Sequence, residues 1–290
     1  MFHTARQRAA LLYGGAATSA LAAPGIKRLL SRVMPRPAAD ALAIGGLSAG
    51  WWVLISRMEK AHPFREDWNR DHGDTRTDVA DLVVSGGVGR SVAAAVTAPL
   101  TSAITTRRNS KRGPISELPY WVQAIILVLA FDLGHYTLHR IMHEHIGWRF
   151  HAPHHSSTRL YWGNATRFHP VEYAMDGAHE FVTLALLGPS SDANTAFSVF
   201  RGSYGQIQHA NIDLDSGVLN EFLATAERHR WHHSTAPEEG NSNYGAIVAV
   251  WDRLFGSAAV PERPFDAEIG IDDPDYPTSY VGQLVAPITG

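Results

Sequence analysis

Cysteine is absent from the 290 residues. Its absence excludes disulfide frameworks, thiolate zinc sites, iron–sulfur clusters and cysteine nucleophiles, and it leaves the redox compartment open. Charge is scarce too: Asp, Glu, Lys and Arg make up 18% of the chain, and 25 bases against 28 acids leave a formal −3. A balance so near neutral gives no ground for a nucleic-acid partner. A phosphate-binding glycine loop, a dinucleotide fingerprint and a G-x-S-x-G nucleophile elbow are all missing. The pairs His143-Glu144 and His179-Glu180 lack the second histidine of an H-E-x-x-H zinc helix, and no solenoid-length repeat is present. Acids are missing altogether from residues 1–36, which carry Arg6, Arg8, Lys27, Arg28, Arg32 and Arg36. That stretch reads as a basic arm on a membrane surface, with a signal- or transit-like segment as the alternative.

Hydrophobic residues do make up 45% of the chain, enough for a sizeable core and against general disorder. Uncharged runs occupy residues 41–56, 91–106 and 118–131, and residues 181–200 are apolar around a Pro189-Ser-Ser-Asp192 break. A membrane span needs about 20 apolar residues, whereas 10–14 more often mark a buried helix. These runs fall between the limits, and a mean hydropathy of −0.13 is low for a polytopic protein, so hydropathy alone does not decide insertion. Residues 118–139 are the most informative: Pro119 suits a first helical turn, and at about 1.5 Å per residue the helix crosses a bilayer and delivers His139 at its far end. The chain thus divides into N-terminal apolar helices (1–117), a histidine-bearing domain (118–260) and an irregular Pro-rich acidic tail (261–290).

Histidine is abundant: there are sixteen, and thirteen lie between His135 and His233. His139 and His143 are four apart, on one face of a helix. His151, His154 and His155 form an H-x-x-H-H set that His229, His232 and His233 repeat. Eight imidazoles exceed what one ion takes, so two metals sharing the set is the economical reading. Neutral imidazole suits iron, copper, nickel and zinc and disfavours magnesium and calcium. Iron gains weight because the chain has no other redox group.

The order of these boxes resembles the fatty acid hydroxylase/sterol desaturase superfamily. Asp132-x-x-x-Tyr136-x-x-His139-Arg140, Trp148-Arg-Phe-His151, Phe168-His-Pro-Val-Glu172, Asn243-Tyr-Gly245 and Trp251-Asp-Arg-Leu-Phe-Gly256 agree with it. The resemblance covers about residues 132–256. It implies an all-α integral membrane bundle with a His-rich cytosolic helical cap and a centre of two Fe ions. O2 and electrons from an external donor of the ferredoxin or cytochrome b5 type would hydroxylate or desaturate a C–H bond of a lipid. The implied ligands are His139, His143, His151, His154, His155, His229, His232 and His233, with His209 as a ninth; Asp213 stands where some members carry a further histidine. Sterol desaturation, carotenoid hydroxylation and ether-lipid cleavage remain open as outcomes, and a non-enzymatic metal-binding membrane protein is the alternative of another class.

Around the ligands, His135 and His169 are expected to support the site or to supply an extra ligand. Asp132, Glu172 and Glu227 are expected to accept the free N–H of ligating imidazoles. His3, His62, His72, His145 and His179 carry no functional expectation. Tyr136, Trp148, Tyr161, Trp162, Trp231 and Trp251 read as packing or interface residues rather than a lipid channel. The basic run Arg107, Arg108, Lys111 and Arg112 precedes the 118–139 helix, and the positive-inside rule places it in the cytoplasm. If that helix spans, the boxes emerge on the other side. Supply of electrons and ferrous iron argues for a cytosolic site, and that assignment is taken.

Overall fold

The computed structural model describes residues 4–107, 113–261 and 263–289, so His3 and the basic positions 108, 111 and 112 lie outside the described residues. Helices make the frame, and two isolated β-bridges stand in place of any strand among the described residues. α1 (Ala5–Leu30) starts at a capping box in which Thr4 and Gln7 satisfy each other's backbone N–H groups. It buries Ala9, Ala16, Ala20 and Ala23, small residues that let a neighbouring helix approach closely. The expected surface arm is therefore a packed helix: Arg8 is buried and reaches Asp213. α2 (Arg36–Ala61) enters through Pro37 in its first turn. α3 (Thr75–Ala80) runs through a π-turn at Asp81–Ser85 into α4 (Gly86–Thr106).

α5 (Tyr120–Met142) begins after Pro119, as the sequence predicts, and is followed by α6 (His145–His155). α7 (Pro170–Leu187) is capped by His169 and stopped by Gly188 at a φ of 57°, a left-handed position where glycine carries no Cβ penalty. α8 (Ser191–His209) starts at its N-cap Ser190, so the apolar run 181–200 is two helices. α4 and α7 approach so closely that a Cβ on Gly89 would lie 2.3 Å from Tyr173 Cβ. Short helices α9 (Ala226–His232), α10 (Pro237–Gly240) and α11 (Val250–Phe255) complete the histidine cap.

The tail expectation fails at its end. Tyr280–Thr289 forms α12, against α3 and α6, and buries Gln283 and Pro287. Gln283 donates to Ser156 Oγ and to the Pro277 carbonyl, which anchors the segment despite its prolines and acids.

Among the described residues, four helices are long and apolar enough to cross a membrane: Ala5–Leu30, Arg36–Ala61, Thr75–Thr106 and Tyr120–Met142. Together with the cap they form an all-α membrane bundle. Its core gathers Leu12, Ile55, Leu127, Phe131, Phe197 and Ile207. One end carries the turn near Lys27, which pairs with Asp192, and the contact of Ile115 with the Leu187 carbonyl. The other end carries Arg8, the end of α2 bound to Asn211, the start of α3 and every histidine box. Buried Arg159 grips Asp74 there at 2.7–3.0 Å, and Arg167 binds Asp78, so the cap is tied to α3 by ion pairs.

Candidate metal centre

Nine imidazoles converge under the cap in two sets. His139, His143, His151, His155 and His232 form one; His154, His209, His229 and His233 form the other, and within each the ligand atoms lie within 4.8 Å of one another. The two H-x-x-H-H boxes contribute in opposite senses. The i, i+4 pair His151/His155 faces the first set while His154 turns to the second. His229/His233 faces the second while His232 turns to the first. Residues four apart share a helix face and adjacent ones differ by about 100°, so each short helix feeds both sets. The sets adjoin, with the His155 and His233 rings 4.3 Å apart.

Anchors on the far side of the rings decide which nitrogen faces inward. Nδ1 of His139 donates to the Tyr244 carbonyl (2.8 Å), that of His154 to the Arg167 carbonyl (3.2 Å) and that of His232 to the Ser242 carbonyl (2.6 Å). Nδ1 of His209 donates to Asn164 Oδ1 (2.8 Å), that of His151 to Glu172 Oε1 (2.7 Å) and that of His143 to Asn241 Oδ1 (3.1 Å). A neutral imidazole carries one N–H, so a donating Nδ1 leaves Nε2 as a bare lone pair.

Nε2 of His139 lies 3.1 Å from Nε2 of His151, and with both Nδ1 atoms donating, these two lone pairs face each other and repel unless a cation or a further proton lies between them. The bare Nε2 of His209 lies 2.8 Å from Nε2 of His229, and His155–His151 and His233–His229 are each 3.1 Å apart through the same atoms. Nδ1 of His229 and of His233 is buried without a partner, so no anchor fixes the tautomer of those two rings. A further proton is disfavoured: burial pushes His151, His154, His155, His232 and His233 well below the ordinary imidazole value, His229 to about 3 and His143 to about 4. A cation fits, since ligands on bonds of about 2.1 Å sit about 3.0 Å apart at a right angle and about 3.4 Å apart at the tetrahedral angle. The buried Nε2 atoms of His143 and His232 have no hydrogen-bond partner, as expected of waiting ligands.

The supporting residues divide. Glu172 accepts from His151, and burial holds its carboxyl well above the usual range, so a cation on the opposite nitrogen favours its ionised form. Asp132 accepts instead from the backbone N–H groups of Ile247 and Val248, at 2.7 and 3.2 Å, and so fixes the loop that presents the Tyr244 carbonyl to His139. Glu227 does not meet an imidazole: it is turned away to cap Ser216 and Asn220. His135 bonds Asp176 at 3.0 Å and joins neither set. His169 is held as the α7 cap, accepting from Val171 N–H and donating to the Leu284 carbonyl. His179 donates to the Phe131 carbonyl, and His72 lies on Thr158. Asn164 and Asn241 were not expected; neither lies in a histidine box, and no spacing marks them.

Two cavities reach the imidazoles. One of about 470 Å³, between the helices of the bundle, touches His139 and His151 of the first set and His154, His209 and His229 of the second. The other, about 760 Å³, lies on the cap side against His143, His155 and His232. Of the six aromatics named from the sequence, none lines the first cavity and only Trp148 lines the second.

Residues 124–257 match the sequence model of the fatty acid hydroxylase family. An ornithine lipid hydroxylase of Rhizobium tropici is 31% identical over 82% of this chain and 73% of its own length. An alkylglycerol monooxygenase of Danio rerio is 37% identical over 49% of this chain and 32% of its own length. A methylsterol monooxygenase of the same fish is 30% identical over 43% of this chain and 42% of its own length. No solved structure matches the chain.

Proposed function

This chain belongs to the fatty acid hydroxylase family, and from that premise we propose that it is a membrane-bound, di-iron, O2-dependent lipid hydroxylase. Its relatives named above are hydroxylases and monooxygenases, and an oxidoreductase is the activity they have in common. In the reaction one C–H bond of the lipid, one O2, two electrons and two protons become one C–OH group and one water. The observation that carries the reading is the convergence of nine imidazoles in two adjoining sets, both open to one cavity between the helices of the bundle.

When bound, the two irons would supply O2 activation. We assign His139, His143, His151, His155 and His232 to one ion and His154, His209, His229 and His233 to the other. The rest falls to this chain's own residues. Tyr244, Arg167 and Ser242 carbonyls, Asn164, Asn241 and Glu172 hold six of the nine imidazoles in one tautomer. Phe131 and Ile247 line the cavity and exclude water. The cavity favours an enzyme over a metal store, because a store needs no space for an organic molecule against both sets.

Electrons must come from a partner, since the chain has no further redox group, and a soluble donor of the ferredoxin or cytochrome b5 type fits. On this reading the histidine cap faces the cytosol. The test of composition is metal analysis and turnover: two irons per chain and heavy oxygen from labelled O2 in the lipid product. His154→Ala and His232→Ala should each abolish it; near-full turnover of either sinks the shared centre. Orientation is tested separately in this cysteine-free chain by single Glu238→Cys and Arg32→Cys variants, both at exposed positions. Glu238→Cys should react with a membrane-impermeant maleimide only after lysis and Arg32→Cys before it; the reverse pattern places the cap outside.

A further inference from the structure

The cavity below the histidines carries a wall that an acyl channel does not need. Arg90 of α4, Asp176 and Glu180 of α7 and Arg201 of α8 all line it. Arg90 and Arg201 share Glu180 Oε2 at 3.0 and 2.9 Å; Arg201 also binds Asp176, whose other oxygen meets His135. Ionisable groups at the depth of apolar helices are expensive and mark a ligand path or a site. Here the network is open on both signs. Arg90 uses one of its nitrogens, and its side chain is 46% exposed. Glu180 Oε1 receives no hydrogen bond from the described residues. Gln206, 7% exposed and also lining the cavity, has an Oε1 that is buried without a partner.

Building on the hydroxylase reading, we propose that this wall binds the polar head of a zwitterionic lipid. Arg90 takes its anionic group, and Glu180 with Gln206 takes its ammonium or amide N–H groups. The carbon to be oxidised then lies near the head and not far along a chain. Asp176 and Glu180 stand one and two turns along α7 from Glu172, about 6 and 12 Å. Gln206 is three residues, about 4.5 Å, from His209 on α8. A chain advances about 1.25 Å per bond at ordinary bond lengths and angles, which sets the reacting carbon roughly four to ten bonds from the groups that Gln206 and Glu180 hold. Gly205 leaves the space: a Cβ there would meet nothing within 4 Å.

The test is binding of three probes to the full-length protein in detergent, by thermophoresis: Nα-dodecanoyl-lysine with both charges, dodecanoyl-glycine with the anion and dodecylamine with the cation. The zwitterion is expected to bind roughly tenfold or more tighter than either singly charged probe, as for charge-assisted hydrogen bonds. Arg90→Gln should weaken the lysine and glycine probes and spare dodecylamine; Glu180→Gln should weaken the lysine probe and dodecylamine and spare the glycine probe. Gly205→Leu, which breaks no ion pair, should weaken all three with metal content unchanged. Equal affinity for the three probes, uniform loss in both charge variants, or undisturbed binding in Gly205→Leu overturns the proposal. Tight zwitterion binding without O2-dependent turnover of any lipid would overturn the hydroxylase reading and leave the site. Turnover without zwitterion preference would do the opposite.

Discussion

Removing one anchor should empty one metal position and leave its neighbour filled. Asn164 is the cleanest choice. Its Nδ2 donates to the Arg159 carbonyl at 2.7 Å and to Ser157 Oγ at 3.1 Å, so its Oδ1 is obliged to face His209. Asn164→Ala releases the His209 tautomer and ring orientation while touching nothing in the five-imidazole set. Loss of such a supporting hydrogen bond costs about 10–100-fold in metal affinity, about 1.4–2.8 kcal/mol. The stability cost should fall within about 1–3 kcal/mol for a buried group losing a partner: the Arg159 carbonyl keeps Ser157 Oγ at 2.8 Å, while the Tyr161 N–H loses Asn164 Oδ1 at 3.3 Å. Glu172→Ala is the counterpart for His151 and the other set. Metal content after equilibration with a competing chelator is the assay. Each single variant should fall from two ions toward one, and the double variant toward none. A double variant retaining as much metal as either single would mean that both anchors serve one ion, and the two-set division would be refuted.

Asp74→Ala leaves the buried Arg159 guanidinium with Asp71 at 3.6 Å as its remaining carboxylate, beside the Trp68 and Arg70 carbonyls, and should cost about 3 kcal/mol in thermal or denaturant unfolding; an unchanged midpoint would show that the pair is not what ties the cap to α3. Metal-free protein should lose stability in acid. His229 has a folded value of about 3 against an ordinary 6.5, so the unfolded chain binds the proton first; stability is complete above about 6.5 and falls with pH toward 3, by up to about 1.4 kcal/mol per unit for this group. A flat profile over that window would contradict its burial as a neutral ring. Asp132→Asn keeps one acceptor where two N–H groups need one each, and should cost about 1 kcal/mol and lower metal retention through the Tyr244 loop; retention like that of the native chain would detach the loop from His139.

How much of this was legible beforehand follows the range of the interactions. Spacing four apart reads directly as one helical face, so the gathering of the histidine boxes, and the all-helical frame under them, could be argued from the chain. The exchange between the boxes could not: His154 and His232 each turn away from their own i, i+4 pair because α6 and α9 meet across the two sets, a tertiary fact. The anchors were hidden for a different reason. Three are backbone carbonyls, which every residue possesses, and Asn164 is a single amide 45 residues from the histidine it holds. Glu227 illustrates the converse error: a carboxylate two residues before His229 lies about 200° round the helix from it, on the opposite face, and finds Ser216 instead. The ion network was obscure on the same ground, since Arg90, Glu180 and Arg201 lie on three different helices and no spacing links them. Hydropathy averaged over the chain discounts such residues as interruptions of a span. Paired across helices around a cavity, they are the polar part of the bundle that its packing has to accommodate.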